Sequence, residues 1–164
     1  MIPEFKNKDG TISSKTTKYY ENVLSYANKH NLRNTKISID LAIHLHDGQF
    51  RDGGAPYIIH PLEATNYLIL LGIWSPILKM NLDLSHDEQL AEEQAQQDLD
   101  ILLSAMLLHD TLEDCKEKLP EGGYEFIRTH NLHPDILSFV KILTKDKSAP
   151  DFSSEGYYQK IGTY

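Results

Sequence analysis

The residues of this chain best suited to chemistry are His109-Asp110, followed one helical turn later by Glu113-Asp114. They come directly after the apolar run Ile101–Leu108. Four polar or charged groups placed there are costly to bury unless a partner compensates them, and a divalent cation is such a partner. Imidazole and carboxylate together suit Mn²⁺, Fe²⁺ or Zn²⁺. Helix neighbours point about 100° apart, so His109 and Asp110 cannot share one face. They can converge on a cation between their two directions, or at a frayed helix end. At helical spacing His109 pairs with Glu113 and Asp110 with Asp114. Without a cation, three carboxylates so close would repel one another and hold on to protons. The plain alternative is a surface ion pair, against which the core-like approach Leu103–Leu108 weighs.

A second constellation runs Ala42-Ile-His-Leu-His46-Asp-Gly-Gln-Phe-Arg51-Asp-Gly-Gly-Ala-Pro-Tyr57-Ile-Ile-His60-Pro61. His60 opens a helix after an apolar triplet, which sets an imidazole at the rim of the core; a capping or packed histidine is the plain alternative. Arg51, with Gly53 among the small loop residues beside it, is a candidate contact to a phosphate or to the flat face of a base. His46 is expected to brace the loop and His44 to face the core. His30, His86, His130 and His133 read as turn or surface residues.

Helices must carry these groups. Residues 1–12 read as a loose polar arm, and Ser13 or Ser14 caps a helix running to about Lys29. Thr35 is expected to cap a second helix with Ile37, Leu41 and Leu45 on one face, ending near Gly48. Pro61 suits the first turn of a third helix, which Gly72 stops. Trp74-Ser75-Pro76 reads as a connection. The acidic, Gln-rich stretch from Ser85 to Asp98 reads as a solvated helix continuing into Ile101–Leu108, with the seven acids from Asp83 to Asp100 as a solvated face and its flanks. Glu121-Gly122-Gly123 reads as a turn, with helices near 124–130 and 134–144 and a last one beginning near Ser154. No alternating strand pattern or internal repeat is found. The expected fold is all-α, in one domain spanning 13–164.

Composition narrows the partners. The 164 residues are 40% hydrophobic and 24% charged, with a net charge of −8. From Asn81 to Cys115 there is no Lys or Arg and there are ten acids, leaving the remainder close to neutral. A nucleic-acid polymer needs a basic face, so such a partner is not expected. The longest apolar runs are about eight residues, short of the roughly 20 that cross a bilayer. Met1-Ile-Pro-Glu-Phe-Lys has no apolar core of a signal peptide, and the single Cys115 allows no internal disulfide. A cytoplasmic location and no membrane partner are the resulting expectations. An exposed terminal helix with Tyr157, Tyr158 and Ile161 would allow packing on a second copy.

Taken together, the two constellations resemble one family: the hydrolase half of bacterial alarmone enzymes, in the HD superfamily. The elements are the histidine segment with Gly-Gln, Arg51, the Gly-containing loop, Pro-Tyr-Ile and His-Pro. They are followed by Ser104-Ala-Met-Leu-Leu-His-Asp-Thr-Leu-Glu-Asp114 and Leu143-Thr144-Lys145. The likeness covers about residues 38–163, and its motifs in this order are specific. It implies an HD-type helical bundle that removes pyrophosphate from guanosine 3′,5′-bispyrophosphate, resembling the small stand-alone hydrolases. It also implies that His60, His109 and Asp110 bind a catalytic Mn²⁺, that Glu113 and Asp114 assist the chemistry, and that Arg51 packs on the guanine. Three departures are visible. The family's last metal ligand is an Asp on a helix beyond the final one begun here, so the domain is expected to lack its last helices. Asp52 stands where a basic residue is usual, and the connection from about Asp83 to Asp98 is longer and more acidic. Two other readings accommodate these departures: a non-catalytic nucleotide-binding or regulatory module, and a phosphohydrolase of another nucleotide.

Overall fold

The run from Glu88 to Leu108 contains no Gly or Pro and only one β-branched residue, so nothing interrupts a helix there. The computed structural model, which describes residues 2–85, 87–119 and 123–144, makes it the organising element. In chain order the described helices are α1 (Ser14–Lys29), α2 (Arg33–His46), α3 (Ile59–Leu70), α4 (Trp74–Leu84), α5 (Glu88–Leu108), α6 (Thr111–Asp114), α7 (Gly123–Arg128) and α8 (Pro134–Leu143). No strand forms among the described residues; two isolated bridges, Lys6 to Ile12 and Phe50 to Pro56, pin turns. The described residues are all-α, as their helical periodicity predicts.

At 1.5 Å per residue α5 is about 30 Å long, enough to touch α2, α3, α4 and α8. Its C-terminal half is apolar apart from Asp100 and Ser104 because it is covered on more than one side. Ala95, Leu99 and Leu103 face Leu32, Ala27 and Ile77 in one cluster. Ile101, Ala105 and Leu108 join Leu45, Leu62 and Ile136 in the other. Each such leucine, wholly buried, contributes about 1.5–3 kcal/mol. The N-terminal half exposes Glu88, Gln89, Glu92 and Glu93, and only the small Ala91 and Ala95 are buried. Asp87 caps it, accepting from the backbone N–H groups of Gln89 and Leu90.

Five local expectations are revised. Residues 2–13 are folded back rather than loose. Phe5 is buried against Tyr20, Asn7 N–H bonds Thr11 O, and Lys8 N–H bonds Gly54 O. Second, α2 begins at Arg33, so Thr35 is not its cap but lies inside the first turn. The cap comes from α5: the Asp100 carboxylate accepts from Asn34 N and Nδ2 (2.9 and 2.8 Å) and from Thr35 N and Oγ1 (both 2.7 Å). Asp100 is therefore a buried cap and not part of a solvated acidic face, and Asp98 likewise accepts from Asn81 Nδ2 at 3.0 Å. Third, Trp74-Ser75-Pro76 is the first turn of α4, where proline's missing N–H has no helical partner to lose. Fourth, His44 is exposed, whereas its neighbour His46 is buried. Fifth, a one-turn helix, α6, follows α5 after a break at His109-Asp110. The C-terminal expectations, including Lys145 of the Leu-Thr-Lys element and the helix from Ser154, lie outside the described residues, as does His86.

Among the described residues no single helix is long and apolar enough to cross a membrane. The apolar α3 and α4 reach that length only jointly, across a 60° bend.

Candidate metal centre

Two helix ends build the site. Pro56 and Tyr57 lead into α3, whose second residue is His60; α5 stops at Leu108 and delivers His109 and Asp110 in the turn before α6. Both residues keep right-handed helical backbone (His109 φ −58°, ψ −35°; Asp110 φ −90°, ψ −8°), so they meet at a point between their two directions rather than on one face. His60 Nε2 lies 3.3 Å from Asp110 Oδ2, and His109 Nε2 lies 3.1 Å from Asp110 Oδ1. The two imidazole rings are 5.2 Å apart, nearly edge to face. One ligand atom from each of these three residues falls within 4.8 Å of the others.

The donor chemistry of this group fits a divalent cation. His109 Nδ1 is 2.7 Å from the Met106 carbonyl, a contact that requires N–H at that nitrogen and turns Nε2 towards Asp110. Burial holds the His60 imidazole below its ordinary pKa, opposed in part by Asp110 and reinforced by His109 and Arg51, so neutral His60 offers a lone pair. Nitrogen lone pairs aimed at a carboxylate repel unless a proton or a cation stands between them. Imidazole nitrogens with one carboxylate are a borderline set that suits Mn²⁺, Fe²⁺ or Zn²⁺.

The other candidates are placed differently. Asp114 is exposed, and its Oδ2 accepts from the Tyr57 hydroxyl at 2.5 Å; the same hydroxyl lies 3.1 Å from Asp110 Oδ2. Glu113 is half-buried on α6, outside the three-residue group. Arg51 is exposed with its guanidinium 5.8 Å from the centre of the Tyr57 ring. Gly53 lies apart from the ligand group and helps line an open cavity of about 520 Å³ with Asn7, Lys8, Asp9, Asp52 and Ala55.

Tyr57 and Gln49 are the participants that the residue types alone did not single out. Tyr57 N–H bonds Gln49 O, and Gln49 Nε2 donates to Asp114 O at 2.7 Å. Burial, then the hydrogen bond to Asp114, push the Tyr57 hydroxyl far above its ordinary pKa, so it stays a donor. The signal was its place in Pro-Tyr-Ile-Ile-His, one turn before a ligand candidate. His46 braces the loop as expected: its Nδ1–H donates to Gln49 Oε1 at 2.7 Å and its ring stacks on Tyr57 at 4.8 Å. Cys115 lies beneath, its Sγ 3.3 Å from His46 Nδ1, and burial pushes its thiol up to about 11.

His46 is only 2% exposed, and burial holds its pKa below the ordinary value despite the bond to Gln49. The unfolded chain then takes up the proton more readily, so this contribution to stability is complete above about pH 6.5 and is lost as pH falls below it. His30 and His60, also lowered first by burial, act in the same direction. The melting temperature is therefore expected to fall between pH 7 and 5, with His46 contributing a slope of up to about 1.4 kcal/mol per pH unit. His46→Gln is expected to flatten that slope; an unaltered slope would dismiss the role.

Comparison of the chain with protein-family models, curated proteins and solved structures finds no match. Motif order and site geometry carry the functional reading.

Proposed function

We propose that this chain is an HD-type, metal-dependent phosphohydrolase that removes the 3′-pyrophosphate of guanosine 3′,5′-bispyrophosphate. The observation that supports it is the convergence of His60, His109 and Asp110, three residues set 50 positions apart in the chain by a motif order resembling that of the alarmone hydrolases. These three residues would hold the cation, Mn²⁺ by the resemblance. When bound, it supplies Lewis acidity and the positive charge that this acidic site needs to accept a polyphosphate.

The chain's own residues account for the remaining tasks. Arg51, on the loop rim, offers a flat cation for the guanine face or a fork for a phosphate. Asp114, held by Tyr57, and Glu113 beside it on α6 would orient the attacking water and return a proton to the leaving group. Water adds its oxygen to phosphorus, the bond from phosphorus to the ribose 3′-oxygen breaks, and that oxygen takes the proton. The products are guanosine 5′-diphosphate and pyrophosphate. Exposed Asp52 beside Arg51 favours a second reading, nucleotide binding without turnover.

One assay separates them. The purified chain with Mn²⁺ and the alarmone is expected to release pyrophosphate, and EDTA to stop the release. Tight alarmone binding with no pyrophosphate released would select the second reading. Faster turnover of an adenine analogue would reassign the base.

A further inference from the structure

We infer that Tyr57 is the positioning residue of this centre: its hydroxyl sets the Asp110 carboxylate for the cation and keeps Asp114 tethered beside it. The inference rests on the metal-centre reading above. The phenol oxygen lies 3.1 Å from Asp110 Oδ2, the same oxygen that faces His60 Nε2 at 3.3 Å. The other oxygen, Oδ1, faces His109 at 3.1 Å. Tyr57 thus touches the ligand carboxylate on the side towards His60, where it resists rotation of that group. The same phenol oxygen is 2.5 Å from Asp114 Oδ2, so its single proton is shared, with the shorter contact to Asp114, between two carboxylates that sit one turn apart and would otherwise repel.

The phenol is itself anchored from two sides. Its ring stacks on buried His46 with the planes 21° apart, and its backbone N–H is held by Gln49, whose amide also reaches the Asp114 carbonyl. Arg51 leans over the ring from the same loop. A displacement of the loop that carries Arg51 therefore moves the donor on which Asp110 depends. Outer partners of ligating groups typically set metal affinity by about 10- to 100-fold.

Tyr57→Phe keeps the stack and removes only the hydroxyl. Mn²⁺ affinity, read without substrate from the paramagnetic signal of free Mn²⁺, is expected to weaken by about 10- to 100-fold. The melting temperature of the metal-free variant is expected to stay within about 4 °C of the parent chain, a shift equivalent to roughly 1 kcal/mol for a chain of this size. Unchanged Mn²⁺ affinity overturns the inference and leaves the proposed hydrolase standing. A variant that fails to fold, or whose melting temperature falls by much more, assigns Tyr57 to the scaffold and also overturns it. Weakened Mn²⁺ binding in a protein that never releases pyrophosphate supports the inference while removing the proposed reaction. A parent chain that takes up no Mn²⁺ overturns both.

Discussion

Asp110→Asn is expected to abolish measurable Mn²⁺ binding and, with it, pyrophosphate release. The affinity loss should exceed the roughly 10- to 100-fold associated with outer partners, because Asp110 is the only carboxylate in the three-residue group. The substitution keeps the side chain's shape and removes the one formal negative charge that a cation meets between the two imidazoles. The metal-free protein should not suffer. An amide at this position can offer either its N–H₂ group or its oxygen to His109 Nε2, where the carboxylate now presents Oδ1 at 3.1 Å. The melting temperature without metal is therefore expected to hold or to rise, in the manner of sites whose stability is sacrificed to function. Calorimetric titration with Mn²⁺ and a thermal melt of the same sample check both halves. Parent-like Mn²⁺ affinity in the variant would remove Asp110 from the centre.

Asp100→Ala is expected to have the largest effect on folding. Its carboxylate accepts four hydrogen bonds at the start of α2, two of them from Thr35, which is fully buried. Losing a helix cap typically costs about 0.5–2 kcal/mol. Each donor left buried without a partner adds about 1–3 kcal/mol. The helix N-terminus also loses a negative charge that its dipole favours. Together these give about 3–5 kcal/mol, a large share of the 5–15 kcal/mol that holds a typical domain folded. The melting temperature should drop by about 10 °C or more. Asp100→Asn, which retains one acceptor oxygen, should fall about halfway. A drop of under about 2 °C for the alanine variant would show that solvent replaces the cap.

These two aspartates show what is readable along a chain and what is not. His109-Asp110 could be singled out because its signal is local: polar groups directly after an eight-residue run in which only Ser104 is polar. His60 could be placed at a helix start because Pro61 and the preceding apolar triplet mark one. The long helix through Asp87–Leu108 was legible for the same reason, since an uninterrupted pattern of good helix formers needs no distant partner. Asp100 looked like one more acid on a solvated face because its neighbours in sequence are acids and glutamines. What it caps is a helix 65 positions earlier, and no local pattern encodes that pairing. Trp74-Ser75-Pro76 misled for a related reason. A proline is read as a break, yet in a first turn it removes no helical hydrogen bond.

The centre divides along the same line. The chain alone shows which residues carry imidazole and carboxylate and that they stand at helix boundaries, in an acidic region free of Lys and Arg. Tertiary packing supplies the rest. The packing of α3 against α5 brings His60 to His109 and Asp110, and the loop from Gln49 to Tyr57 folds back to put a hydroxyl between Asp110 and Asp114. Helical periodicity is enforced by bonds between residues three or four apart, so it is written locally. Convergence of α3, α5 and a loop depends on which apolar faces bury one another across the chain, and that is settled only when the core around Leu45, Leu62 and Leu108 closes.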